Sequence, residues 1–234
     1  MKNFIKTLII RFAVNIAHHE IPLFRGAINS LLESSSDTLL FHNHTEEGLR
    51  YAYPLIQYKR IGGKAAIVCV GEGTEVIGEF FSSIRPEITI GDRVEILKIE
   101  SVIPSRMLLQ VWKGEFEYHL RKWLPLNKGN YDKFVKLEGV VEKTRMLESI
   151  LIGNILSMAK TLDVIFDKEV SVKITSVDSP HAIKYKGVKL MSFDVEFKSN
   201  VCLPYFIGVG KGVSVGFGMV TNKHLRKENS NNEN

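Results

Sequence analysis

Apolar positions switch between two periods along the chain, and each switch marks an element boundary. Residues 4–16 hold Ile, Val and Phe in a dense run that predicts a strand. Pro22 then opens a segment in which Leu23, Ala27, Leu31 and Leu32 recur at helical spacing. A proline in the first turn fits, because its missing N–H would have no helical partner there. Ser34, Ser35, Ser36 and Asp37 end that helix, and residues 38–44 read as a short strand. Two β-rich runs meet at Gly62 and Gly63, the signature of a tight hairpin. Beyond Gly71 and Gly73, the residues Val76, Ile77, Phe80, Phe81 and Ile84 share one helical face, with Thr74 as the expected N-cap. Residues 93–103 alternate as a strand. Strand, helix, two strands, helix, strand is the split βαβ, ferredoxin-like order.

The rest reads as a looser second copy. Residues 107–112 and 116–124 are β-like. Residues 130–162 are helical with a break near Gly139, and Met146, Leu147, Ile150, Leu151, Ile155, Met158 and Leu162 recur at spacings of three and four. Strands follow at 170–177 and 188–197, a short helix or turn at 202–207, and a glycine-studded last strand at 213–220. The expected fold class is α+β, with two tandem ferredoxin-like (RRM-like) domains. The first covers residues 1–104 and the second 105–222; residues 223–234 form a disordered polar tail. Trp112 and Trp123 are expected to be packing residues.

Composition narrows the class. The 234 residues allow two domains of about 100 residues each, and 44% apolar with 24% charged side chains excludes a disordered or fibrous chain. Cys69 and Cys202 are too few for a disulfide framework or a cysteine zinc site, so a reducing cytoplasm is expected. No apolar run reaches the roughly 18–20 residues of a membrane span, and Lys6 and Arg11 interrupt the N-terminal run that superficially suggests a signal peptide. The net charge of +5 is unevenly placed: residues 1–104 carry 11 basic and 12 acidic side chains, residues 105–234 carry 20 and 14. Within 181–227, eight basic residues face only Asp194 and Glu196. Such a segment attracts a polyanion by counterion release, or is a solvated surface.

Two segments hold candidate chemistry. His42 and His44 are one residue apart, so on a strand they project from one face; Tyr51, Tyr53 and Lys59 follow. Paired imidazoles beside a phenol suit proton transfer near neutral pH. A metal site is a second reading; it would need further ligands, and His18, His19 and Cys69 stand at no diagnostic spacing. Surface polarity at a strand end is the third reading. The second segment has Gly208, Gly210, Gly212, Gly216 and Gly218 around Lys211. It is not a Walker A loop, because Tyr205 and Gly212 stand where that motif needs Gly and Ser or Thr. Nor is it a dinucleotide fingerprint, which needs Gly or Ala at Val213. Two readings remain: a loop whose backbone N–H groups approach an anion, or a bulged, tightly packed last strand. His18, His19 and Glu20 read as a polar loop, and Arg25 as a solvent-facing or phosphate-binding residue.

Together, GVGKGVSVGFGMV and FHNH followed by YAYPLIQYK resemble the RAMP superfamily, and within it the b-type subfamily of CRISPR repeat-processing endoribonucleases. The resemblance spans roughly residues 4–221. It implies two ferredoxin-like domains and metal-independent cleavage of precursor CRISPR RNA within the repeat. The 2′-hydroxyl attacks the adjacent phosphate and leaves 2′,3′-cyclic phosphate and 5′-hydroxyl ends. It implies catalytic roles for His42, His44 and Tyr51, and RNA binding at Gly208, Gly210, Lys211, Gly212, Gly216 and Gly218. Some members also use a lysine near the histidines; residues 33–41 contain none, so that role is vacant or moves to Arg25, Lys59 or Lys64. The partner expected is CRISPR repeat RNA; a CRISPR effector complex and a homodimer are further expected partners, and a membrane is not. A non-catalytic RNA-binding RAMP subunit is the competing reading, and a metal-dependent hydrolase a third.

Overall fold

The computed structural model describes residues 3–32, 44–45, 48–49, 53–83 and 87–222. They divide into two compact units: Phe4–Met107 with Ser214–Gly216, and a second built on Leu108–Val213 and the residues from Phe217 onward. Both are ferredoxin-like. Among the described residues no helix is long and apolar enough to cross a membrane.

In the first unit, β1 (Phe4–Asn15) alternates in burial, with Ile10, Phe12 and Val14 turned into the core. Helix α1 (Ile21–Leu32) follows a turn that Glu20 closes by accepting the Ala17 N–H at 2.6 Å. Ile21, Phe24 and Ile28, at spacings of three and four, bury one face of α1. Two short strands, β2 (His44–Thr45) and β3 (Gly48–Leu49), pair before β4 (Ile56–Ile61) and β5 (Lys64–Val70) form the hairpin expected at Gly62 and Gly63, whose φ values of +58° and +80° supply the primed turn. Helix α2 (Gly73–Ser83) buries Ile77; the Thr74 hydroxyl donates back to the Gly71 carbonyl at 2.8 Å and so does not cap as expected.

The single strand expected at 93–103 is divided. β6 (Glu87–Ile90) pairs with β7 (Arg93–Ile96), the chain turns as Leu97 drops into the core, and β8 (Ile99–Leu108) then joins the sheet. The sheet order β4-β5-β1-β8 is the 2-3-1-4 arrangement of a ferredoxin-like unit.

The second unit repeats that order. β9 (Val111–Trp123) is one continuous strand where two runs were expected. Asn127 caps α3 (Lys128–Phe134) by accepting the Asn130 N–H at 2.8 Å, and Gly139 starts α4 (Val140–Thr161), which buries Leu147, Leu151, Ile155 and Met158. β10 (Val172–Val177), β11 (His181–Tyr185), β12 (Val188–Val201) and β13 (Met219–Asn222) follow. The order β10-β12-β9-β13 is again 2-3-1-4, with β11 folded onto β12 as a hairpin. Where the first unit has α2, the second has residues 202–218, with one 3-10 turn at Val213–Val215. The glycine-studded strand expected at 213–220 is therefore shorter, because left-handed backbone at Gly212, Gly216 and Gly218 is incompatible with extended pairing. Trp123 is fully buried as expected, whereas Trp112 is 40% exposed. The tail expected to be disordered lies outside the described residues.

Register aligns Thr7, Ile9 and Arg11 of β1 with Val70, Val68 and Ala66 of β5, and the last two with Gln57 and Lys59 of β4. This is the sheet face opposite Phe12, Ile67 and Tyr58, and on it Lys59 is fully buried. Burial disfavours the charged amine and pushes its pKa down to about 7. The unfolded chain keeps that proton to a pKa of about 10.4, so the unfolded state binds more protons between the two values and stability rises with pH across that window. We expect Lys59→Met to be more stable than wild type below neutral pH, with the gap closing as pH rises toward 10. Urea unfolding of both proteins across that range checks it; a constant gap would mean that the amine does not titrate in the fold.

Candidate nucleic-acid interface

Residues 208–218 form a closed turn pinned by its own backbone. Gly208 bridges to Met219, the Val209 N–H donates to the Gly218 carbonyl at 2.8 Å, and the Gly218 N–H donates to the Lys122 carbonyl at 3.1 Å. Two glycines are sterically obligatory. At Gly218 (φ +61°) a β-carbon would stand 2.0 Å from the Val209 oxygen. At Gly210 (φ +88°) it would stand 2.8 Å from Trp123 Nε1, the group that donates to Asn154 Oδ1 at 3.0 Å. Gly212 is likewise closed off by Phe217, and Gly216 by Ile21. Protein atoms thus account for four of the glycines, as the packed-strand reading requires. Lys211 stands exposed between Gly210 and Gly212. Ser214–Gly216 clusters with the first unit, where Val215 packs on the core around Phe24 and Tyr58.

Lys211 Nζ lies 5.8 Å from the centre of the Tyr185 ring, and Lys186 Nζ lies 5.9 Å from the same ring. Phe217 meets Tyr185 edge-on at 5.4 Å. Sequence reasoning named Lys211 and counted Lys186 within the basic segment, but passed over Tyr185. The available signal was Lys186-Gly187 between β-prone residues inside a run without acids.

Of the histidine segment, His42 and Tyr51 lie outside the described residues, and His44 is placed only as backbone in β2, opposite Leu49. The three candidate cations are distinguished by their surroundings. Lys64 and Arg11 both pair with Glu100, Arg11 at 2.6 Å. Their contacts hold the Glu100 carboxyl below its usual range, the hydrogen bond from Lys64 contributing most. Lys59 is enclosed in the sheet. Arg25 is half-buried on α1, and its charge favours the ionised form of the Tyr58 phenol against the larger effect of burial. Glu20, part of the expected polar loop, is structural: besides the Ala17 N–H it binds Arg93 at 2.6 Å. Among the described residues, no group of three or more His, Cys, Asp or Glu is placed to hold a metal ion.

Two ferredoxin-like units, the second with a glycine-rich segment in place of its second helix, define the class of fold. The Cas6b N-terminal domain family matches residues 3–105 and the Cas6b C-terminal domain family residues 110–223, so the chain belongs to the Cas6b family. A crystal structure of Cas6b superposes with a TM-score of 0.84 at 25% identity, over 94% of this chain and 99% of that one. A second, described as the CRISPR RNA processing endoribonuclease Cas6b, gives 0.71 at 22% identity, over 93% and 98%. An uncharacterised protein of Methanocaldococcus jannaschii is 39% identical over 98 residues, which is 42% of this chain and 65% of that protein's own length.

The glycine geometry carries a direct expectation. Gly218→Ala should destabilise the protein by more than ~1 kcal/mol, from left-handed strain and the Val209 clash together. Gly114→Ala, where a β-carbon meets nothing within 4 Å, should stay within about 0.5 kcal/mol of wild type. Denaturant midpoints of the two variants decide this, and equal midpoints would refute the packing role.

Proposed function

We propose that this protein is a CRISPR RNA processing endoribonuclease that cuts within the repeat of the precursor without a metal. The observation that carries the reading is membership of the Cas6b family across both halves of the chain, in a sequence that also holds His42, His44 and Tyr51 together. A non-catalytic RNA-binding subunit would need the fold and the basic segment but not those three side chains.

The chemistry requires few parts. One imidazole of the His42 and His44 pair takes the proton from the 2′-hydroxyl as its oxygen forms a bond to phosphorus. The P–O5′ bond breaks, and the other imidazole returns a proton to the leaving 5′-oxygen, giving a 2′,3′-cyclic phosphate and a 5′-hydroxyl. The Tyr51 hydroxyl orients the phosphate or a histidine. Positive charge must meet the phosphorane. With Lys64 held by Glu100 and Lys59 enclosed, Arg25 is the candidate cation with solvent access. Lys211 and the glycine-rich segment bind RNA by phosphate contacts and shape, and take no part in the proton transfers.

Two outcomes are expected. Cleavage of a repeat RNA should persist in EDTA and produce a cyclic phosphate, while a substrate with a 2′-deoxy sugar at the cut site binds but stays intact; cutting of the deoxy substrate would sink the mechanism. His42→Ala and His44→Ala should each slow single-turnover cleavage by roughly 10²–10⁴-fold with little change in RNA affinity. The double variant should lose less than the product of the two, because groups acting as a unit are not additive. Wild-type rates in both single variants would mean that the pair takes no part in the proton transfers, whereas a wild type that binds the RNA without cutting it would favour the non-catalytic subunit.

A further inference from the structure

The tip of the β11–β12 hairpin is built at an energetic disadvantage. Tyr185 pairs with Val188, so Lys186 and Gly187 form a two-residue turn with φ values of +48° and +80°. Both positions of such a turn need left-handed backbone, which Asn, Asp and Gly adopt far more readily than lysine. Further down the hairpin, Lys184 lies directly opposite Lys189, and like charges in that register repel. No acidic residue occurs between Asp178 and Asp194, or between Glu196 and Glu228. Among the described residues, none pairs with Lys184, Lys186, Lys189 or Lys211 in a salt bridge. Strain and uncompensated positive charge are thus concentrated around one aromatic ring, which Phe217 braces edge-on and two ammonium groups approach within 6 Å.

We propose that the hairpin tip and Lys211 hold one unpaired nucleotide of the RNA, its base stacked on the Tyr185 ring and its flanking phosphates on Lys186 and Lys211. This rests on the RNA-processing reading above and adds a position to it. A ring with two ammonium groups within 6 Å of its centre matches a base flanked by phosphates, whereas a duplex keeps its bases stacked inside and offers no free face. The tyrosine brings sequence-tolerant stacking, and the lysines bring a salt-dependent attraction.

The test measures binding of repeat RNA, made uncleavable by a 2′-deoxy sugar at the cut site, by fluorescence anisotropy at several salt concentrations. Tyr185→Leu should weaken binding by roughly 5- to 100-fold, the range for one lost base stack, while Tyr185→Phe stays within about twofold. Lys186→Gly relieves the turn strain, so the protein should be at least as stable as wild type, yet bind more weakly, with the slope of log K against log salt reduced by about 0.7. One abasic position in the RNA should weaken wild type as much as Tyr185→Leu does, and that variant should be indifferent to it. The proposal is overturned if Tyr185→Leu binds like wild type, if Tyr185→Phe loses as much as Tyr185→Leu, if Lys186→Gly leaves affinity and salt slope unchanged, or if no abasic position has this effect. A wild type that neither binds this RNA nor cuts its all-ribose counterpart overturns the underlying function as well; one that cuts the all-ribose RNA normally confines any failure to the stacking assignment.

Discussion

At residue 218 the chain passes so close to Val209 that a β-carbon would stand 2.0 Å from its carbonyl oxygen. The left-handed backbone there directs β13 alongside β9, where Val220 pairs with Leu120 and Thr221 with His119. Without that turn the second sheet has no fourth strand, and the ferredoxin-like order cannot close. The first unit solves the same topological problem with α2, which carries the chain from β5 toward β8 over the face of the sheet. The second unit uses a tight glycine-rich segment instead, so the same steric device that closes its sheet also holds Lys211 out in solvent.

Such economy distributes the chemistry unevenly. The first unit keeps its polar groups constrained: Glu100 binds Arg11 and Lys64, Glu20 binds Ala17 and Arg93, and Lys59 is enclosed. The second unit leaves its lysines along the β11–β12 hairpin exposed, beside a ring that Phe217 fixes in orientation. One half thus constrains its charged groups in pairs, whereas the other leaves a basic hairpin exposed, which raises the positive potential on that side.

Local signals carried much of the fold. The helical spacing after Pro22, the paired glycines at 62 and 63, and the apolar stripe from Leu147 to Met158 each state their element within a few residues, although the first helix buries Ile21, Phe24 and Ile28 while Leu23 of the expected face is exposed. Less visible were features set by partners far away in sequence. The run 93–103 breaks because Leu97 finds the core of its own unit, and β11 forms because β12 offers it an edge. Thr74 faces the Gly71 carbonyl rather than capping α2, a choice that residue type alone cannot make.

The candidate site divides along the same line. By itself the sequence determined the glycine density around Lys211, the acid-free basic segment, the proximity of His42, His44 and Tyr51, and the family those motifs resemble, because composition and short spacings are properties of the chain alone. Only the tertiary structure decided that Gly210 must clear Trp123 and Gly218 must clear Val209, that Lys59 is buried while Lys64 is paired, and that Lys186 and Lys211 both come within 6 Å of the Tyr185 ring. The physical reason is that burial, steric closure and charge pairing are set by atoms tens of residues away, and those neighbours exist only once the sheets have formed.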